Sequence, residues 1–283
     1  MNTSIEQSFK SRIRTLAREK RIDTAQLWQN LVLERFLVRL SQSKYASHFI
    51  LKGGVLLAHY VQLNRYTQDL DFLIRRLSNE ISDLEKILDD VIQTPIDDGF
   101  TFSNLKVNTL AHPHMEYAGV RATMWSSFGR TKFQVKVDLG FGDLIVPTTV
   151  FFPLIKGKKE ALFENEIEVF CYPKEFIFAE KLETIVYRNT DNSRMKDFHD
   201  LYILIETDKL EPEETAKVVK SVFEHRKTKM NFPIIFSADD LGNFQQFWNA
   251  HLRALPPMHA MPKDFSQVVF RINHWLMTHV NVQ

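Results

Sequence analysis

Residues 69–72 read Asp-Leu-Asp-Phe, two carboxylates one residue apart at the head of the apolar run DLDFLI. In a strand, residues i and i+2 share a face, so Asp69 and Asp71 project together while Leu70 and Phe72 pack the other way. Two anions about 5–7 Å apart repel each other, and burial adds to the cost, so one protonates unless a cation bridges them. A hard divalent ion bound through oxygen, Mg2+ above all, resolves the conflict. A strand of this kind belongs in a sheet that presents charge to a ligand.

The residues upstream supply a complement. Leu51-Lys52-Gly53-Gly54 runs directly into VLLAHYVQL, which reads as a helix. A glycine pair lets backbone approach a ligand closely, a helix N-terminus favours an anion, and Lys52 adds positive charge for phosphate. Downstream, Asp138 alternates out of FQVKVDLGFGD among Val135, Val137 and Leu139. If that strand neighbours the first, Asp69, Asp71 and Asp138 converge on one edge of the sheet. Gly-Gly alone is a weak signal, and Asp-x-Asp alone is common on surfaces. Together they are the equipment of phosphoryl or nucleotidyl transfer, in which metal ions polarise the α-phosphate and stabilise departing pyrophosphate.

The rest of the chain is consistent with a catalytic core followed by helices. Ile5, Phe9, Ile13 and Leu16 predict an amphipathic helix over 4–21, and Asp23 or Thr24 caps a second through AQLWQNLVLERFLVRLSQS with Leu27, Leu31, Phe36 and Leu40 inward. DLDFLIRR predicts a strand and SDLEKILDDVIQ a helix. From about residue 100 the period becomes two, in FTFSNLKVNTL, AGVRATMWSSF and KFQVKVDLGF, with Gly129-Arg130 as a turn. Residues 147–173 read as a proline-bearing connection, after which helical patterns return. The expected fold class is α/β (α+β): a mixed β-sheet core flanked by helices, with a helical C-terminal half. The expected divisions are N-terminal helices over 1–46, a core over 47–172 and a helical domain over 173–283.

Composition narrows the partners less. Of 283 residues, 44% are hydrophobic and 25% charged, a globular composition with 23 Phe for the core. A single Cys171 excludes an intramolecular disulfide and a cysteine zinc site, and suits a reducing cytoplasm as a small buried apolar residue. No apolar run reaches membrane-spanning length, and the N-terminus lacks a signal-type core. Net charge is +1, yet Lys10, Arg12, Arg14, Arg18, Lys20 and Arg21 crowd the first helix, and Arg226, Lys227 and Lys229 form a second cluster. Such clusters either meet phosphates or form solvated faces. His112, His114 and Glu116 flank Pro113 in what reads as a polar loop rather than a zinc site. Trp125, Trp248 and Trp275 lie in apolar periodic runs and read as core.

In the second half, AEKLETIVYRNTDNSRMKDFHDLYIL places Ile177, Leu182, Ile185 and Val186 on one helical stripe and Phe198, Leu201, Tyr202 and Ile205 on another. Lys181, Arg194, Lys196, Asp197 and Asp200 then form either ordinary ion pairs or part of a site.

GG…DLD…VKVDLGF resembles the nucleotidyltransferase signature of DNA polymerase beta-like enzymes, hG[G/S], Dh[D/E]h and h[D/E]h (h, a hydrophobic residue). The chain as a whole resembles the AbiEii/AbiGii-type toxin family in LAREKRID, ERFLVRLSQS, FILKGGVLLA, RYTQDLDF, YAGVRATMW, VDLGFGD, YPKEFIFAEKLETIV, NSRMKDFHDLY and VFEHRKT. Fourteen residues (55–68) separate Gly54 from Asp69, at the long end of the superfamily spacer. The resemblance implies a nucleotidyltransferase-like fold whose helical C-terminal domain completes the active site. It implies transfer of a nucleoside monophosphate from NTP by one or two Mg2+ ions on Asp69, Asp71 and Asp138, with phosphates on Lys52, Gly53, Gly54 and Lys181. Asp197 orients the nucleotide or assists the incoming hydroxyl. Arg65 and Thr67 match the family's R-x-[S/T]-x-D-x-D pattern, where the Thr67 hydroxyl either touches metal or phosphate or marks strand propensity. The implied setting is a cytoplasmic type IV, AbiE-like toxin–antitoxin or abortive-infection (phage defence) system, with the tRNA 3′ end as acceptor and an AbiEi-type antitoxin as partner. The rival readings are transfer to a small molecule such as an antibiotic, and a non-catalytic nucleotide- or protein-binding module.

Overall fold

The computed structural model describes residues 3–61, 63, 65, 67–110, 119–142, 145–157, 160–207, 210–255 and 261–280. The His112, His114 and Glu116 segment lies outside them. The chain forms two compact units, the first from residues 1–59 and 67–172, the second from residues 60–66 and 173–283.

The first unit is built on a seven-stranded mixed sheet. Its strands are β1 (Phe49–Lys52), β2 (Leu70–Ile74), β3 (Phe100–Leu110), β4 (Gly119–Phe128), β5 (Thr131–Gly140), β6 (Thr148–Pro153) and β7 (Glu166–Cys171), in the spatial order β3-β4-β5-β2-β1-β7-β6. Pairing of β2 with β5 and of β1 with β7 is parallel; every other neighbour pair is antiparallel. The expectation that the Asp138 strand neighbours the Asp-Leu-Asp strand is met, because β2 and β5 are hydrogen-bonded side by side.

Helices α1 (Thr3–Lys20), α2 (Thr24–Gln42), α3 (Gly53–Tyr60) and α4 (Ile81–Ile92) complete this unit. Asp23 caps α2 by accepting from the backbone N–H groups of Ala25 and Gln26. One face of β3–β4–β5 is apolar and buried through Phe100, Phe102, Val120, Ala122, Met124, Val135, Val137 and Leu139. Trp28 on α2 stacks on Phe133 there, with ring centroids 5.9 Å apart. The opposite face of these three strands is polar and open. Beneath α2 runs a buried charge network. Arg39 donates to both oxygens of Asp98 at 2.8 and 2.9 Å, while Arg35 reaches Glu34 at 2.8 Å and Glu164 at 2.6 Å.

Two expectations need correcting here. Residues 147–173 are not merely a connection, since β6 and β7 lie within them. Both alternate in burial, but each is only six residues long, and prolines at 147, 153 and 173 mask so short a period. Pro153 is tolerated because β6 is an edge strand, where a missing N–H need not face a partner. Trp125 is not core. It is 42% exposed on the open face of β4, whereas Trp248 and Trp275 are buried as expected. The alternation around Trp125 places it with Arg121 and Thr123, not with Ala122 and Met124.

The second unit is helical: α5 (Lys174–Arg188), α6 (Met195–Glu206), α7 (Pro212–His225), α8 (Ala238–Arg253) and α9 (Phe265–His279). Its core gathers Phe236, Phe244 and Phe265 around Phe198 on α6, with Phe178 against Trp275. Ser237 and Asp240 form a reciprocal capping box at the start of α8. Residues 60–66, which begin at the last residue of α3, cluster with these helices. Leu63 is one reason: its carbonyl accepts a 2.8 Å hydrogen bond from Nε2 of the buried His199 on α6.

Candidate active site

Register places four charged residues in one row across the sheet. Arg121 on β4 is opposite Asp138 on β5, Asp138 is opposite Asp71 on β2, and Asp71 is opposite Lys52 on β1. Directly paired residues project to the same face, so the row reads cation, anion, anion, cation. Arg121 donates from Nε and Nη2 to the two oxygens of Asp138 at 2.7 and 2.6 Å. That bidentate bond, together with the carboxylates of Asp138, Asp69 and Asp71, holds the Arg121 guanidinium well above its ordinary pKa despite partial burial. Sequence reasoning missed Arg121. The available signal was its position as a lone charge alternating out of an apolar strand, like Asp138.

Glycine shapes the other end of the row. Gly53 has φ +70°, and a Cβ built there would stand 2.6 Å from Asp71 Cγ and closer still to its Oδ2. The chain therefore turns out of β1 into α3 with its backbone pressed against a carboxylate, which only glycine permits. Gly54 is buried in the first turn of that helix. Lys52 lies with its ammonium 5.0 Å from the Tyr172 ring centroid and 3.4 Å from the Tyr172 hydroxyl.

Asp69 precedes β2, which begins at Leu70, and Thr67 also lies outside the strand; both are half-buried. One oxygen of Asp69, Oδ1, is buried without a hydrogen-bond partner. A buried carboxylate oxygen left in that condition costs free energy unless a cation meets it. Asp69 and Asp71 thus suit a hard divalent ion, which takes one or two protein carboxylates and completes its shell with phosphate oxygens and water. Asp138 is different, since both its oxygens already carry Arg121. Among the described residues, no group of three or more His, Cys, Asp or Glu side chains stands close enough to hold an ion together.

The second unit carries its own ion-pair network. Lys181 on α5 lies 3.0 Å from Asp197 Oδ1 and 2.7 Å from Asp200 Oδ2, both on α6. Arg65 grips the two oxygens of Asp200 at 2.7 Å each, and Arg194 reaches Asp197 Oδ2 at 2.6 Å. Asp197 and Asp200 are almost wholly buried. Burial by itself pushes their carboxyls up, but Lys181, with Arg194 for Asp197 and Arg65 for Asp200, more than reverses this and holds both below the usual range. Burial likewise pulls Lys181 down, and the two aspartates outweigh it, so the ammonium stays charged. The sequence-predicted residues thus form two groups: Lys52, Gly53, Gly54, Thr67, Asp69, Asp71 and Asp138 in the first unit, and Arg65, Lys181 and Asp197 in the second.

No curated protein matches the sequence. Among solved structures, a candidate nucleotidyltransferase from H. pylori aligns over 91% of this chain and 95% of its own, with TM-score 0.54 and 13% identity. JHP933 from Helicobacter pylori aligns over 88% and 89%, with TM-score 0.51 and 15% identity. These likenesses speak for the fold. The sequence from 35 to 271 matches the model of the nucleotidyl transferase AbiEii toxin family of type IV toxin–antitoxin systems, so the chain belongs to that family and is a nucleotidyltransferase.

Proposed function

We propose that the protein is a divalent-metal-dependent enzyme that transfers a nucleoside monophosphate from NTP to the 3′ hydroxyl of tRNA. The carrying observation is the row Lys52–Asp71–Asp138–Arg121, with Gly53 pressed against Asp71 and the orphaned Oδ1 of Asp69 beside it. Like charges in adjacent register repel, and with Arg121 already on both oxygens of Asp138 a further cation suits Asp69 and Asp71.

On this reading Asp69 and Asp71 are the principal ligands of one or two Mg2+ ions, and Asp138 lends an oxygen lone pair that Arg121 leaves open. The ions, when bound, polarise the α-phosphate and neutralise charge on the departing pyrophosphate. The start of α3 at Gly53-Gly54 offers backbone N–H groups to phosphate, and Lys52 offsets the added negative charge. The acceptor hydroxyl oxygen bonds to the α-phosphorus as the bond to the β-phosphate oxygen breaks. Pyrophosphate leaves with that electron pair, and a carboxylate of the row takes the hydroxyl proton. Lys181 and Asp197 keep the roles implied by the family motif, phosphate binding for the first and nucleotide or hydroxyl orientation for the second. Arg65 holds Asp200, and so the Lys181 side chain, in place. Thr67, just before β2, offers its hydroxyl to metal or phosphate.

The family assignment supports a toxin paired with an antitoxin; on our reading the antitoxin is of AbiEi type and the setting is phage defence in the cytoplasm, where NTP and tRNA are both present. Among the described residues no helix is long and apolar enough to cross a membrane. Radiolabelled NTPs, Mg2+ and total tRNA incubated with the wild-type protein and Asp71→Ala test the reading. Label should enter tRNA with the wild type alone. Transfer without metal, equal transfer by the variant, or transfer only to a small molecule overturns it.

A further inference from the structure

The open face of β3, β4 and β5 carries a pattern that the row at its end does not explain. Along β5, Lys132, Gln134, Lys136 and Asp138 share one face at alternate positions. Their register partners on β4 are Ser127, Trp125, Thr123 and Arg121. On β3, Ser103 lies opposite Trp125, Lys106 opposite Thr123 and Asn108 opposite Arg121. A bulge between Ser103 and Lys106, with Asn104 at φ +54°, keeps Lys106 on this face. Lys106, Lys132 and Gln134 are exposed and Lys136 is half-buried. Trp125, at 42% exposure, stands among them as a large aromatic ring on a polar sheet.

The charge on this surface is mostly positive. Among the described residues of the three strands the single acid is Asp138, at the catalytic end, against Lys106, Arg121, Lys132 and Lys136. A protein-binding face is depleted in lysine, and an apolar docking site would carry more than one large apolar residue. An aromatic ring ringed by cations and hydroxyls on an open sheet suits single-stranded nucleic acid. Bases stack on the ring while phosphates track the cations. Gln134, opposite Trp125, precedes Asp138 by four residues, roughly 13 Å along the strand. That leaves room for a few nucleotides between the stacking platform and the reacting end.

We propose that this face binds the single-stranded 3′ end of the acceptor RNA, with a base on Trp125, phosphates on Lys106, Lys132 and Lys136, and the terminal hydroxyl at Asp138. The proposal rests on the transfer reaction proposed above and names the surface that selects its acceptor.

The test combines direct binding of a short fluorescein-labelled single-stranded RNA with steady-state transfer, over a range of salt concentrations. Trp125→Ala should weaken RNA binding about tenfold or more while leaving the KM for NTP within about twofold. Trp125→Phe should restore most of it, a rescue that a merely structural role would not require. Lys132→Gln and Lys136→Gln should each lower the slope of log affinity against log salt by about 0.7. RNA affinity and salt slope unchanged in the variants, equal loss of RNA and NTP binding, or a protein held at this face with no RNA binding each overturn the proposal. RNA bound through Trp125 without nucleotide transfer sustains this surface and defeats the proposed reaction. Transfer with unaltered RNA binding in Trp125→Ala does the reverse.

Discussion

Gly53 and Asp71 are in such close contact that the glycine has no room for a side chain: its Cα faces the Asp71 carboxyl from the adjacent strand, at φ +70°. Gly53→Ala should therefore do two things. The left-handed backbone costs about 1–2 kcal/mol for a residue with a Cβ, which lowers the melting temperature modestly. The new methyl also drives Asp71 out of line, and displacement of a reacting group by about 1 Å lowers turnover on the order of a hundredfold. Transfer rate and thermal melting measured together check this. A variant that melts lower but turns over normally would show that Asp71 is not held for catalysis.

Asp69 makes a contrasting prediction, because its Oδ1 is buried and unsatisfied. Asp69→Asn removes a charge whose buried Oδ1 has no hydrogen-bond partner, although the Arg121 guanidinium attracts it. Its melting temperature without metal should equal or exceed that of the wild type. Mg2+ with NTP at about 100 times its Kd should stabilise the wild type by about 2.7 kcal/mol and the variant far less. Transfer should fall a thousandfold or more, reflecting several kcal/mol of lost transition-state stabilisation. A fully retained thermal shift in Asp69→Asn would remove Asp69 from the metal site.

These residues were legible in the sequence because local patterns placed them. Gly-Gly marks a close approach, and strict alternation marks the face on which Asp71 and Asp138 emerge. Their adjacency needed long-range information, since β2 and β5 are separated by β3 and β4 in the chain and meet as parallel neighbours only in the sheet. Arg121 escaped notice for the same reason: a lone arginine in a strand reveals its partner only through register. The misreading of Trp125 has a different origin. Aromatic residues in alternating runs usually face the core, and the deciding fact was its phase relative to Ala122 and Met124. The helix expected through VLLAHYVQL stops at Tyr60, because the contacts that hold Leu63 and Arg65, from His199 and Asp200, come from more than 130 residues away.

The network on α5 and α6 gives the second unit a definite pH dependence. Asp197 and Asp200 titrate below their ordinary 3.8, so the stability they contribute is present above that value and lost as the pH falls through their folded values. Lys181 titrates above its ordinary 10.5, so its contribution is present below 10.5 and lost as the pH rises through the folded value. Unfolding free energy should therefore be flat between these limits as far as this network is concerned. Asp200→Asn should cost about 3–5 kcal/mol at neutral pH, because Lys181 and Arg65 lose a shared buried partner. Its loss of stability below pH 3.8 should be shallower than in the wild type. Chemical denaturation of both proteins across pH 2–7 reads the difference, and parallel curves would mean that Asp200 binds its proton equally well in the folded and unfolded chain.

Arg39 separates stability from function in the first unit. Its side chain is 3% exposed and its guanidinium meets both oxygens of Asp98, with a further bond to the Phe100 carbonyl at 2.9 Å. Arg35 cannot take over, since its nearest nitrogen stands 4.0 Å from Asp98 and is committed to Glu164 at 2.6 Å. Arg39→Met preserves much of the packing against Phe102 but leaves the Asp98 carboxylate, among the described residues, with the Phe100 N–H as its one hydrogen-bond donor and Arg35 at 4.0 Å. Breaking one side of a buried pair costs about 3–5 kcal/mol, enough to lower the denaturation midpoint clearly. Arg39→Met with Asp98→Leu should recover a large part of that loss, because an apolar pair of similar volume removes the stranded charge rather than exposing it. Neither variant touches the Lys52–Asp71–Asp138–Arg121 row, so NTP affinity and transfer below the melting transition should match the wild type. If Arg39→Met abolishes transfer while its melting curve is unchanged, the buried pair belongs to the active site rather than to the scaffold.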